Sequence, residues 1–126
     1  MKQATGVFHF DLSLAELHWL AGAFSVSHLP LPDDSMSGRT LSQLEAEQKN
    51  GHASLLTRGL VRPSPSFGWQ VDSLPTAIIQ WIASAQSLLR LEHIHKSGAT
   101  RRIHIFTMGE QGMSVEMNAD TVQFTL

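Results

Sequence analysis

Cysteine is absent from the 126 residues, which excludes a disulfide framework, a thiolate nucleophile and a thiolate metal site. Long apolar runs are missing too. No stretch approaches the ~18 consecutive apolar residues of a membrane span. The start, Met1-Lys2-Gln3-Ala4 followed by Val7-Phe8-His9-Phe10 and Asp11, is too short and too polar for the apolar region of a signal peptide. By elimination the sequence predicts a cytoplasmic protein. Positive charge is sparse: nine Lys and Arg are scattered, with only Arg101 and Arg102 adjacent, and the net charge is −2. That balance argues against a dedicated nucleic-acid binder, whose affinity rests on neutralising phosphates. Internal repeats and low-complexity tracts are also missing.

What is present describes one folding unit. The length suits a single domain over residues 1–126, and an apolar fraction of 42% is enough to close one core without staples. A charged fraction of only 16% suggests that some of the surface is covered by a partner.

Val7 to Leu12 alternates so that Phe8, Phe10 and Leu12 share one side, the period of a half-buried strand. Ser13-Leu14-Ala15-Glu16 is a capping box, with Leu12 and Leu17 placed as a hydrophobic staple. In the helix that follows, Leu14, Leu17, Ala21 and Phe24 recur at helical spacing and are expected to face the core. Residues 25–39, with Pro30, Pro32, Asp33, Asp34 and Gly38, read as a long loop. Its length predicts a mobile or partner-facing segment from Pro30 to Gly38, or a simple tether between helices. A second capping box, Thr40-Leu41-Ser42-Gln43, opens a helical region with apolar positions at Leu41, Leu44, Leu55, Leu56 and Leu60. Asn50-Gly51 leaves open whether residues 41–60 form one helix or two. Gly59 is placed to end the region in the left-handed conformation, with Leu60 folding back.

Pro63 to Trp69 reads as a turn-rich loop whose Phe67 and Trp69 either tuck onto the core or form a wing or lid. Asp72 or Ser73 caps a third helix that tolerates Pro75 in its first turn. Its buried stripe is Leu74, Ile78, Ile82 and Ala85, widened by Ile79 and Trp81. From Leu88 the period changes to that of strands, in four runs: Leu89-Leu91-His93, Ile103-Ile105, Val115-Met117 and Val122-Phe124-Leu126. Short turns at 96–100, 109–112 and 118–120 make them an antiparallel meander. The fold class expected is therefore α+β: an N-terminal strand and helices, followed by a C-terminal antiparallel meander sheet.

Chemistry is harder to find. His93, His95 and His104 fall on neighbouring strands and would approach a three-histidine zinc site if His93 stood opposite His104. A turn centred on Gly98 instead pairs His93 with Ile103 and Glu92 with His104, placing the histidines on opposite faces. That register gathers Leu89, Leu91, Ile103 and Ile105 on one face, which burial favours. No metal ligand, cofactor-binding residue or catalytic residue is assigned. No Gly-x-Ser-x-Gly elbow occurs, and Gly109-Glu110-Gln111-Gly112 reads as a hairpin turn, not a phosphate loop. Glu45 and Glu47 are two apart in a helix and diverge. A passage from helix through Arg58-Gly59-Leu60-Val61-Arg62 into a loop imitates a winged helix, but Glu45 and Glu47 precede it and would repel phosphate.

Leu55, Leu56 and Arg58-Gly59-Leu60, a variable loop, Val71-Asp72, an apolar helix, then Leu88-Leu89-Arg90-Leu91 and a basic hairpin form a pattern that resembles the EspG proteins. These are cytosolic chaperones of mycobacterial type VII secretion. Leu12-Ser13-Leu14-Ala15-Glu16-Leu17 with a following Leu29-Pro30 is also similar. The resemblance spans nearly the whole chain through ordinary Leu, Gly and Pro positions. It implies a non-enzymatic α+β protein that binds secreted PE–PPE partners and keeps them soluble. EspG chains contain two related halves around a shared sheet, and this chain is like one half, so no partner-binding residue is carried over.

The function expected is a protein-binding module, a cytosolic chaperone or adaptor with a protein partner and no enzyme activity, nucleic acid or membrane. A winged-helix DNA-binding regulator is the alternative, and a His-based metal enzyme is third. The half-length resemblance, together with a last strand running Thr121 to Leu126 without a polar tail, predicts a homodimer. Its interface would be edge to edge or across a face including Phe124. A monomer whose last strand is covered by the N-terminal strand is the competing arrangement.

Overall fold

The computed structural model of the protein describes residues 8–26, 40–66, 68–94, 96–98, 100–118 and 121–126. The expected Pro30 to Gly38 loop, Leu29, Phe67, His95 and the Ala119-Asp120 turn lie outside them.

Strand β1 (His9–Ser13) runs directly into helix α1 (Leu14–Ala23). The Ser13 hydroxyl accepts from the Glu16 amide at 3.1 Å, and the Glu16 carboxylate accepts from the Ser13 amide at 2.8 Å, completing the capping box. Helix α2 (Leu41–Thr57) opens the same way through Thr40 and Gln43. It is one helix, because Gly51 is buried where α2 crosses α1 instead of ending a turn. Its end is a Schellman motif: Gly59, at φ 75°, donates to Leu56 O, and Leu60 donates to Leu55 O. Leu55 is fully buried, but Leu41 is 74% exposed and Leu56 also faces out. Gly51 and Leu55 are the buried residues of α2, and Leu41 to Gln43 at its start are exposed.

The expected Pro63 to Trp69 loop joins a small hairpin that the sequence reading did not include, β2 (Val61–Pro63) with β3 (Trp69–Val71), so that only its two end residues are in strands. Three residues per strand are too few for a period to register in sequence. Helix α3 (Ser73–Ser84) follows, with Asp72 at its N-cap position and Pro75 buried in its first turn. Strands β4 (Ser87–Ile94), β5 (Thr100–Met108), β6 (Gln111–Asn118) and β7 (Thr121–Thr125) then form the meander.

The five-stranded sheet has the order β1-β7-β6-β5-β4, every neighbour antiparallel. The N-terminal strand therefore pairs with β7, and Phe8 and Leu126 extend that ladder by exchanging backbone hydrogen bonds. This corrects the premise of the expected dimer: β7 is internal, and Phe124 is fully buried. Helices α1 and α3 lie on one face. Leu12, Phe106, Met113, Val115, Val122 and Phe124 from that face interleave with Leu14, Leu17, Leu20, Ile78, Ile79 and Ile82 in a single core. The Trp81 indole N–H donates to Phe106 O at 3.1 Å, tying α3 to β5. The faces predicted for α1 and α3, including Leu17 and Ile82, are the buried ones.

Candidate functional site: the uncovered face and edge of the sheet

Side chains alternate across a strand, so the register assigns each residue to the helix-covered face or to the open one. His104 pairs with Arg90 and Val115 and belongs to the covered face, where it is buried. His93 pairs with Arg101 and belongs to the open face. The two histidines thus lie on opposite sides, as the turn-based reading expected. The observed pairing is nonetheless displaced by two residues: Glu92 stands opposite Arg102, and Leu91 opposite Ile103. The pairing is centred one position earlier than Gly98, and the parity of the faces is unchanged. Among the described residues no group of three or more His, Asp or Glu side chains comes together.

The face expected to be buried is the open one. Leu89, Leu91, Ile103 and Ile105 do share a face, but it is the one without helices. Leu89 is 53% and Leu91 45% exposed, while Ile103 and Ile105 are half-buried by their neighbours. Four aliphatic side chains in two cross-strand pairs make a contiguous apolar patch, open on the side away from the helices.

A polar region adjoins the patch. Arg101 donates through Nε and Nη2 to the two Glu116 carboxylate oxygens at 2.7 and 2.8 Å, a bidentate pair. The hydrogen bonds from Arg101 are the main reason that the Glu116 carboxyl is held below the usual carboxylate range, against a smaller opposing effect of burial. The same contact raises the Arg101 guanidinium. With Asp11, Gln123 and Thr121 these residues line a cleft of about 520 Å³. Its lining is polar and charged, and the Glu116 carboxylate within it is committed to the Arg101 guanidinium.

Two polar clusters elsewhere are structural in geometry. Glu16 is buried and accepts from Ser54 Oγ at 2.6 Å and from Arg58 Nη1 at 2.7 Å, while Arg58 Nη2 donates to Asp11 O at 3.0 Å. Arg58, read from sequence as part of a wing-like passage, therefore fastens α2 to β1 and α1. His52 is stacked on Trp19 at 4.7 Å and meets Trp69 edge-on at 4.3 Å. Trp69 remains 47% exposed, neither tucked fully into the core nor free of it.

Among the described residues no helix is long and apolar enough to cross a membrane. No protein-family model matches the chain, and no curated protein matches it.

Proposed function

We propose that the protein is a non-enzymatic binding module for another protein, a cytosolic chaperone or adaptor that works as a homodimer and presents the uncovered sheet face to its partner. The observation that supports this reading is the one-sided sheet: helices cover one face, and Leu89, Leu91, Ile103 and Ile105 stand on the other. An exposed apolar patch beside charged groups is the composition of a protein-binding surface. The resemblance to EspG chains favours secreted PE–PPE proteins as the partner class.

Affinity capture from the native host tests the reading, using the wild-type chain beside a Leu89→Ser, Ile105→Ser double variant. Both substitutions are on the open face, so the variant is expected to fold. A protein retained in stoichiometric amount by the wild type and lost with the variant is the expected result, and a PE–PPE pair would support the EspG version. Equal retention by both, or none by the wild type, overturns the reading.

A further inference from the structure

The sheet has two edges, and they differ. At one end β1 is five residues long, and its Asp11 carbonyl is occupied by the Arg58 guanidinium. At the other end β4 is eight residues long and, among the described residues, has only β5 beside it. Edge strands are usually protected by Pro, Lys, a bulge or brevity. Ser87-Leu88-Leu89-Arg90-Leu91-Glu92-His93-Ile94 has neither Pro nor Lys and contains four Leu or Ile residues. Leu89, Leu91 and Ile94 are exposed, Ile94 by 66%.

The geometry points to a second copy of this chain as the occupant of that edge, β4 pairing antiparallel with β4 about a two-fold axis at Leu91. This rests on the homodimer in the reading above, and supplies its strand and register. The charge pattern selects the alignment. With Leu91 opposite itself, Arg90 faces Glu92 of the second copy, and Glu92 faces that copy's Arg90. Leu88 meets Ile94 of the second copy and Ile94 meets its Leu88. The alternative with Arg90 on the axis sets two guanidiniums opposite each other and Leu88 against a carboxylate, and like charges directly opposed destabilise a sheet. Arg90 has no hydrogen bond or ion pair among the described residues, whereas Glu92 already accepts from Arg102 at 3.1 Å. In the dimer each Glu92 lies between two guanidiniums, Arg102 of its own chain and Arg90 of the other.

The rest of the surface is consistent with this alignment. A two-fold axis perpendicular to the sheet keeps both helix layers on the same side and joins two five-stranded sheets into one. It also merges the two patches of Leu89, Leu91, Ile103 and Ile105 into one apolar strip across the axis. On the covered side the helices stop short of β4, leaving Arg90, Glu92 and Ile94 exposed along the edge that the second copy would meet.

Sedimentation equilibrium of the purified full chain at micromolar concentration tests the pairing. The wild type is expected at twice 13.9 kDa. Arg90→Glu alone sets two pairs of carboxylates opposite each other, and Glu92→Arg alone two pairs of guanidiniums. Each is expected to weaken self-association by roughly tenfold or more. An equimolar mixture of the two variants is expected to restore dimers, because every opposed pair in the mixed species is again of opposite sign. A mass of 13.9 kDa at every concentration overturns both the dimer and the edge assignment. A stable dimer that neither substitution weakens, or a mixture no tighter than its components, overturns the edge assignment and leaves the homodimer standing. The capture experiment is read separately, since its variant alters neither Arg90 nor Glu92.

Discussion

Gly51 of α2 lies against the backbone of Ala15 in α1, so closely that a Cβ on Gly51 would stand 2.1 Å from the Ala15 oxygen and 2.5 Å from its carbonyl carbon. The residue that looks like a helix breaker is what allows two helices to touch. In an exposed helix, Gly→Ala gains about 1 kcal/mol of propensity. Here the same change forces backbone against backbone, which no rotamer can relieve. Gly51→Ala is therefore expected to lower stability by about 1–3 kcal/mol net, measured as a fall in the urea midpoint. A rise in the midpoint would mean that α1 and α2 do not cross at this residue.

Leu17 and Ile82 lie on the packed faces of α1 and α3, both in the core shared with Phe124 and Val115. Truncating either to Ala removes transfer energy and leaves a cavity that the rigid sheet below cannot close. The expected cost is about 2–5 kcal/mol in chemical denaturation. A change below about 1 kcal/mol would place the residue outside close packing.

The particular elements explain what the sequence could and could not disclose. Both capping boxes, the Gly59 terminus and the α3 stripe depend on residues within a turn or two of one another, so they were legible. The four C-terminal strands were legible by their period. Which face of β4 and β5 meets the helices was not, because Leu89, Leu91, Ile103 and Ile105 are more apolar than Arg90, Glu92 and Arg102 on the covered side. Burial read from composition therefore pointed to the wrong face. The covered face is decided by Phe106, Met113, Val115 and Phe124 further into the sheet, and by helices that stop before reaching β4. The pairing of β1 with β7 joins the two ends of the chain, a contact that no local pattern encodes. For the same reason no local pattern marks β4 as an edge strand or β7 as an internal one.

Arg58 is the long-range contact that local patterns concealed. Its guanidinium joins the buried Glu16 carboxylate and the Asp11 carbonyl, and it lies 5.5 Å from the centre of the Phe10 ring. Arg58→Ala strands a carboxylate that is only 2% exposed. The loss is expected to be about 2–4 kcal/mol, below the fully buried case because the guanidinium is 37% exposed. The double variant Glu16→Gln, Arg58→Ala is expected to lose less than the sum of the two single changes. Strict additivity in denaturation would show that the two side chains do not act as a pair.

Glu116 gives the sheet a pH dependence of defined sign. Its carboxyl is held below the usual range by the hydrogen bonds from Arg101, so the folded state binds that proton more weakly than the unfolded chain does. Stability from this pair is fully present above the unfolded carboxylate value, about 4.3. It is lost as pH falls from there through the lower folded value, because protonation removes the acceptor charge. In Glu116→Gln the side chain has no carboxyl to titrate, so the urea midpoint is expected to fall less steeply on acidification than in the wild type. The two proteins are expected to converge at low pH and to differ most near neutrality. Arg101→Gln is expected to reproduce much of the flattening, since it returns Glu116 toward its ordinary value. Parallel acid profiles for wild type and Glu116→Gln would remove the pair as a source of the stability, leaving the cleft beside the apolar patch without its ionic anchor.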